Sequence, residues 1–173
     1  MNVRFGLIAA AVAVAAMPAL AQNTKLNDAQ IAHIAYTAGV LDVEAGKQAL
    51  AISKNKEVRA FAEQMVKDHT AVNEQALALV KKLKVTPEDN ATSKALTTQA
   101  AAKRAELAKL SGAAFDKAYI ANEIAFHKTV NGALETQLIP SASNGELKSL
   151  LQTGLKLFQG HQQHAEHTTA ATN

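Results

Sequence analysis

Apolar residues recur at three- and four-residue spacing over long stretches of this chain, and four of these stripes carry an ionisable residue where a hydrophobe is due. The plainest stripe is Val58, Phe61, Met65, His69, Val72, Ala76, Val80 and Leu83. Such spacing stacks all of them on one side of an α-helix. The other stripes are Ile31, Ala35, Ala38, Asp42, Ala45, Ala49 and Ile52; Ile120, Glu123, Ile124, His127, Asn131, Leu134 and Leu138; and Leu147, Leu150, Leu151, Gly154, Phe158, His161 and Ala165. A buried charge or imidazole is costly unless it is paired or bound to a metal. Asp42, His69, His127 and His161 therefore demand a fold in which four helices bring them to a common interior.

The punctuation between the stripes sets the order of elements. A first helix starts at Asn27 or Asp28 as N-cap and runs to about Ser53. A second, weaker face of that helix holds Tyr36, Val40 and Val43. Lys54-Asn55-Lys56 is long enough only for a tight turn, so the second helix, from about Glu57 to Leu83, returns antiparallel. Thr92 to Leu110 is rich in Ala, Lys and Thr but poor in large apolar residues, which suits a connecting helix lying on the bundle. A fourth helix spans about Ala113 to Leu138, and the last spans Glu146 to His167, with a frayed tail from Thr168 to Asn173. Alanine is abundant, aromatics make up 4% of the chain, and no convincing strand alternation is present. The fold class is all-α: a four-helix bundle with an additional crossover helix. The long connection lets the second and fourth helices run parallel, as a ferritin-like bundle requires.

The N-terminus reads as an export signal. Met1-Asn-Val-Arg4 is followed by an apolar run from Phe5 to Ala16 and by an Ala-x-Ala site ending at Ala21. The run is short for a membrane span of about 20 residues. Cleavage after Ala21 would leave one helical domain over residues 22–173, its core at about 27–168, in the periplasm, with peripheral outer-membrane association open. That mature chain has 17 Lys+Arg against 15 Asp+Glu, and its lysines are scattered. No basic stripe interleaved with aromatics marks a nucleic-acid surface, and no later apolar run could cross a membrane. The absence of cysteine removes disulfides, thiolate ligands and Cys nucleophiles.

Heights along the bundle follow from counting at about 1.5 Å per residue. Asp42 lies about 12 residues before the first turn and His69 about 14 after it, so the two come level. His127 lies about as far into the fourth helix, with Glu123 one turn away on the same face. His161 falls near Glu123. Asp42, His69, Glu123, His127 and His161 thus fit within roughly two turns of helix, and imidazoles with carboxylates suit Zn, Fe, Cu or Mn. Met65, one turn from His69, could add a thioether, although a Met on a core stripe is commonly filler. A metal-free polar network satisfies the same pattern, with His69 hydrogen-bonded to Glu123, and His127 and His161 to Asp42 or buried water. Asp68 lies off the core face and either orients a neighbouring His or is exposed. His33 falls on the outer side of the first helix. His161, His164 and His167 could form a weak surface site at the frayed end. Nothing resembles a nucleophile elbow or triad, so binding or interaction fits these residues better than catalysis. An envelope protein partner or a homo-oligomer would use the Ala-rich crossover helix or the wide face of the first helix.

Several segments together resemble one exported bacterial family. They are Gly39-Val-Leu-Asp-Val-Glu-Ala-Gly46, Val58-Arg-Ala-Phe61, Met65-Val-Lys-Asp-His-Thr70, Leu110-Ser-Gly112 with Phe115-Asp116 and Tyr119, and His127. The family is domain of unknown function 4142, placed with ferritin-like bundles, and the resemblance covers about Leu26 to Ala165. It implies fold and location but no reaction. Asp42 stands where that family commonly has Glu, a carboxylate one methylene longer. The paired Glu-x-x-His motifs of di-iron bundles are absent, which argues against an iron-storage or di-iron oxidase centre.

Overall fold

The computed structural model describes residues 25–172, so the expected signal peptide lies outside the described residues. Five helices follow in order: α1 Asp28–Ile52, α2 Lys56–Leu83, α3 Ala91–Leu107, α4 Gly112–Ala133 and α5 Gly145–Thr168. No strand occurs among the described residues. Asparagine starts four of the five. Asn27 and Gln30 form a reciprocal capping box on α1, and Asn90 does the same with Ser93 on α3. Asn55 and Asn144 accept the first free amides of α2 and α5. Asp28, the other cap expected for α1, instead accepts from the amides of Ser143 and Asn144 at 2.8 and 2.9 Å, tying the α4–α5 connection to the start of α1.

α1 and α2 form an antiparallel pair joined by Ser53–Asn55, and α4 and α5 form the other. α3 lies along α1, where Gln48 donates to the Arg104 carbonyl at 2.9 Å and Arg104 pairs with Glu44. It returns the chain to the end where α2 began. Phe61 and Met65 near the start of α2 therefore pack with Phe115, Tyr119 and Ile120 near the start of α4, so these two helices are parallel. This is the ferritin-like arrangement expected from the long connection.

The apolar interior is divided in two. One cluster gathers Ala49, Val58, Phe61, Met65, Phe115, Tyr119 and Ala165; the other gathers Ile31, Ile34, Leu134, Leu138, Leu147, Leu151 and Phe158. Met65 packs within the first cluster, as a core filler would. The polar layer lies between the two.

Three local departures have physical causes. The path of α4 continues beyond Ala133 through a π-turn, Leu134–Leu138, into a last turn, Ile139–Ser141. Pro140 lacks the amide that would bond four residues back, and its ring would strike that carbonyl. The wider turn, with the Ile139 amide on the Leu134 carbonyl, accommodates it. The tail expected to fray instead forms a 3₁₀ turn, Thr169–Thr172, pinned by the Asn55 side-chain amide donating to the Ala171 carbonyl at 2.8 Å. α1 packs against both α2 and α3 and buries Ile34 and Leu41, which lie off its expected stripe, while Ala35 and Ile52 of that stripe are only half-buried. Tyr36, Val40 and Val43 are only half-buried.

Candidate metal centre

Asp42 on α1, His69 on α2, Glu123 and His127 on α4, and His161 on α5 converge in the layer between the two apolar clusters. Each is at most 2% exposed. The Asp42 Oδ2 atom stands 3.6 Å from His69 Nε2 and 3.7 Å from His127 Nε2. His127 Nδ1 is 3.7 Å from Glu123 Oε2. The three imidazole rings are 5.2–5.6 Å apart between centroids. Phe158 stacks on His69 at 4.6 Å and 13°, closing the layer toward the second apolar cluster.

Two hydrogen bonds fix how the histidines point. His127 Nδ1 donates to the Glu123 carbonyl at 3.0 Å, which leaves the Nε2 lone pair facing the cluster. His161 Nε2 donates to Asp68 Oδ2 at 3.0 Å, leaving Nδ1 inward. Asp68 is thus the orienting partner of a histidine on another helix, one of the two roles open to it from its position. Carbonyl and carboxylate partners of this kind orient metal-ligating histidines and raise their basicity. His69 has neither ring nitrogen engaged.

Seven side-chain atoms of the cluster are buried without a hydrogen-bond partner in the protein: both Asp42 oxygens, both His69 nitrogens, Glu123 Oε2, His127 Nε2 and His161 Nδ1. Buried polar groups are rarely left so. Their donor atoms form two overlapping groups that share His127. One is His69, His127 and His161; the other is Asp42, Glu123 and His127, and within each the ligand atoms lie no more than 4.8 Å apart.

Burial dominates the electrostatics. It pushes the Asp42 carboxyl up to about 7, with the neighbouring Glu123 carboxyl working the other way. Glu123 is raised well above the carboxylate range by burial and then by the Asp42 charge. Burial holds His69 well below its ordinary value, helped by the charges of His127 and His161. His127 falls to about 4 for the same reasons, and His161 is lowered by burial although Asp68 opposes it. At neutral pH the imidazoles are therefore uncharged, with lone pairs free to bind a cation.

The structure also places residues that the sequence reading left aside. Tyr119 is fully buried, its hydroxyl has no partner, and burial followed by the Glu123 and Asp42 charges raises its pKa. The signal was present in the spacing, since Tyr119, Glu123 and His127 follow one another at four-residue intervals. The tail histidines form no surface site. His164 Nδ1 bonds Gln64 Oε1 at 2.8 Å, and His167 is exposed. His33, expected to be solvated, is half-buried with Nδ1 unpartnered.

Comparison with known proteins supports the fold and gives the family. A crystal structure of a protein described as a candidate secreted one, DUF305 from Streptomyces coelicolor, aligns over 83% of this chain and 91% of its own, with a TM-score of 0.68 and 11% identity. At that identity the likeness is one of fold. No curated protein matches the chain. The sequence model of the family Domain of unknown function (DUF4142) matches residues 11–168, nearly the whole chain, and the protein belongs to that family.

Proposed function

We propose that this protein is an exported bundle that binds one transition-metal ion in its core, through His69, His127 and His161 with Asp42 and Glu123 as the acidic ligands. The observation that carries this reading is the set of seven partnerless polar atoms, buried and facing one another across four helices. The spacing supports it further. Separations of 3.6 and 3.7 Å between Asp42 and the two imidazoles are too long for hydrogen bonds. They are close to the edge of a coordination shell whose bonds are about 2.0–2.2 Å. Neutral imidazoles and carboxylates suit Zn, Fe, Cu or Mn. His127 has one free nitrogen, so it can serve one ion at a time, which favours a mononuclear site. Export is supported by the N-terminal signal pattern.

The test is plasma mass spectrometry on the protein purified without a histidine tag, alongside a His69→Ala, His127→Ala double variant. About one metal per chain in the native protein and none in the variant is the expected result. A variant that keeps stoichiometric metal excludes this site. A native protein that takes up none of the four metals makes the cluster a metal-free network. Fractionation with N-terminal sequencing tests export, with Gln22 as the expected first residue.

A further inference from the structure

The five residues of the polar layer are each at most 2% exposed, so an ion bound there needs a way in. Two openings in the bundle reach the layer. A cavity of about 440 Å³ lies on the side of the second apolar cluster, where His69 and His127 form part of its wall. It exists because Ala35, Ala38, Gly39, Ala76 and Gly154 leave room that Leu or Phe would fill. Its walls are almost wholly apolar, so a hydrated cation would lose its water there with nothing in return. A smaller pocket of about 210 Å³ lies between α1, α3 and α4. It reaches the acidic side of the layer: Asp42 and Glu123 are part of its wall, and no imidazole is.

The pocket originates in the sequence of α3. Leu96, Ala100, Lys103 and Leu107 follow at three- and four-residue spacing and share the face toward the bundle. Leu107 is buried and Leu96 half-buried, but an alanine and a lysine stand between them, leaving a gap that Asp42 borders. α3 is held on both sides of the gap, by buried Ser93 before it and by Gln48 on the Arg104 carbonyl after it. Lys103 and Arg104 also line the pocket, and they pair with Glu106 and Glu44. Two cations matched by two carboxylates do not repel an entering ion.

We propose that this pocket is the path by which the metal ion enters the core, meeting Asp42 and Glu123 first and the imidazoles last. The proposal rests on the metal reading above. Asp42 and Glu123 are each 1% exposed, so the pocket ends one side chain short of the cluster. The Asp42 Oδ2 atom is already within 3.7 Å of His69 Nε2 and His127 Nε2, so rotation of the carboxyl about its side-chain bonds hands the ion inward. The order follows from ligand chemistry. A cation leaving water exchanges it most readily for carboxylate oxygens, and transition metals then gain from imidazole nitrogen.

The chain has no cysteine, so one introduced thiol can be capped in the folded, metal-free protein with N-ethylmaleimide. Capped Ala100→Cys closes the pocket, and capped Ala76→Cys fills the apolar cavity. Stopped-flow uptake of Zn, Fe(II), Cu(II) and Mn, one at a time, should be slower by roughly tenfold or more in capped Ala100→Cys than in the native protein. Its stoichiometry at equilibrium should be unchanged, and capped Ala76→Cys should load at the native rate. Ala125→Cys, at an exposed position on the α4 wall of the same pocket, gives the same test if the first variant does not fold. A native uptake rate with the pocket capped, or slowing by the Ala76 cap alone, overturns the path and leaves the metal site standing. A native protein that takes up none of the four ions overturns both.

Discussion

His127 is held from one side and free on the other, and that asymmetry is set within a single turn of α4. Its Nδ1 donates to the Glu123 carbonyl, while Nε2 faces Asp42 and the other imidazoles. The carboxylates around it make the metal-free protein sensitive to alkali, with a sign that can be worked out. Asp42 has a folded pKa of about 7 against an ordinary value of 3.8. Its contribution to stability is therefore fully present at acid pH, below the unfolded value, and is lost as pH rises through about 7. His127 works the other way. Its folded pKa of about 4 lies below 6.5, so its contribution is present above 6.5 and is lost as pH falls toward 4. Comparing Asp42→Asn with the native protein cancels the histidine part. Urea unfolding in chelator should show the difference moving in favour of the variant by about 2 kcal/mol between about pH 5 and about pH 8.5. A difference that stays constant would mean that Asp42 titrates alike folded and unfolded.

At the scale of elements, the closest approach is between α1 and α2. A Cβ on Gly46 would lie 2.9 Å from Val66 Cγ2 and 3.1 Å from the Ala62 carbonyl, a backbone atom that cannot turn aside. Gly46→Ala should therefore destabilise by about 1–3 kcal/mol, read as a lower urea midpoint. Gly132→Ala, with open space at its Cβ, should cost nothing and gains helix propensity, so its midpoint should not fall. The five helices, the parallel run of α2 and α4, and the inward placement of Asp42, His69, Glu123, His127 and His161 were legible in the sequence, because spacing on a helix fixes which face a residue occupies. What was not legible depends on neighbours. Ile34 lies off the expected stripe and is buried in the second apolar cluster with Leu134, Leu138 and Leu147, partners on other segments that a stripe does not name. The π-turn before Pro140 answers a clash that periodicity does not register. The ordered tail rests on packing against α2 and α4 and on a bond from Asn55, none of which its own sequence announces. The cavity, too, is invisible in a stripe pattern, since Ala76 satisfies the spacing without filling the space.

Taken as a whole, the molecule places its polar layer where it can join all four bundle helices. Asp42 comes from α1, His69 from α2, Glu123 and His127 from α4, and His161 from α5, between the two apolar clusters. An ion bound there would be a contact shared by both antiparallel pairs, and it would bind the folded chain alone, since these ligands are far apart in sequence. Linkage then gives the size of the effect. A free ion concentration of about 100 times Kd adds about 2.7 kcal/mol of stability. For a domain of this size, that corresponds to a rise in Tm of about 5–10 °C. The rise should appear with at least one of Zn, Fe(II), Cu or Mn and disappear with chelator. It should also vanish in His161→Ala, whose residue sits on the last helix, because losing any one of the three imidazoles opens the shell. An ion that raises Tm equally in the native protein and in His161→Ala would be binding elsewhere on the surface. An ion that raises it only in the native protein would establish that the four helices are joined through this layer.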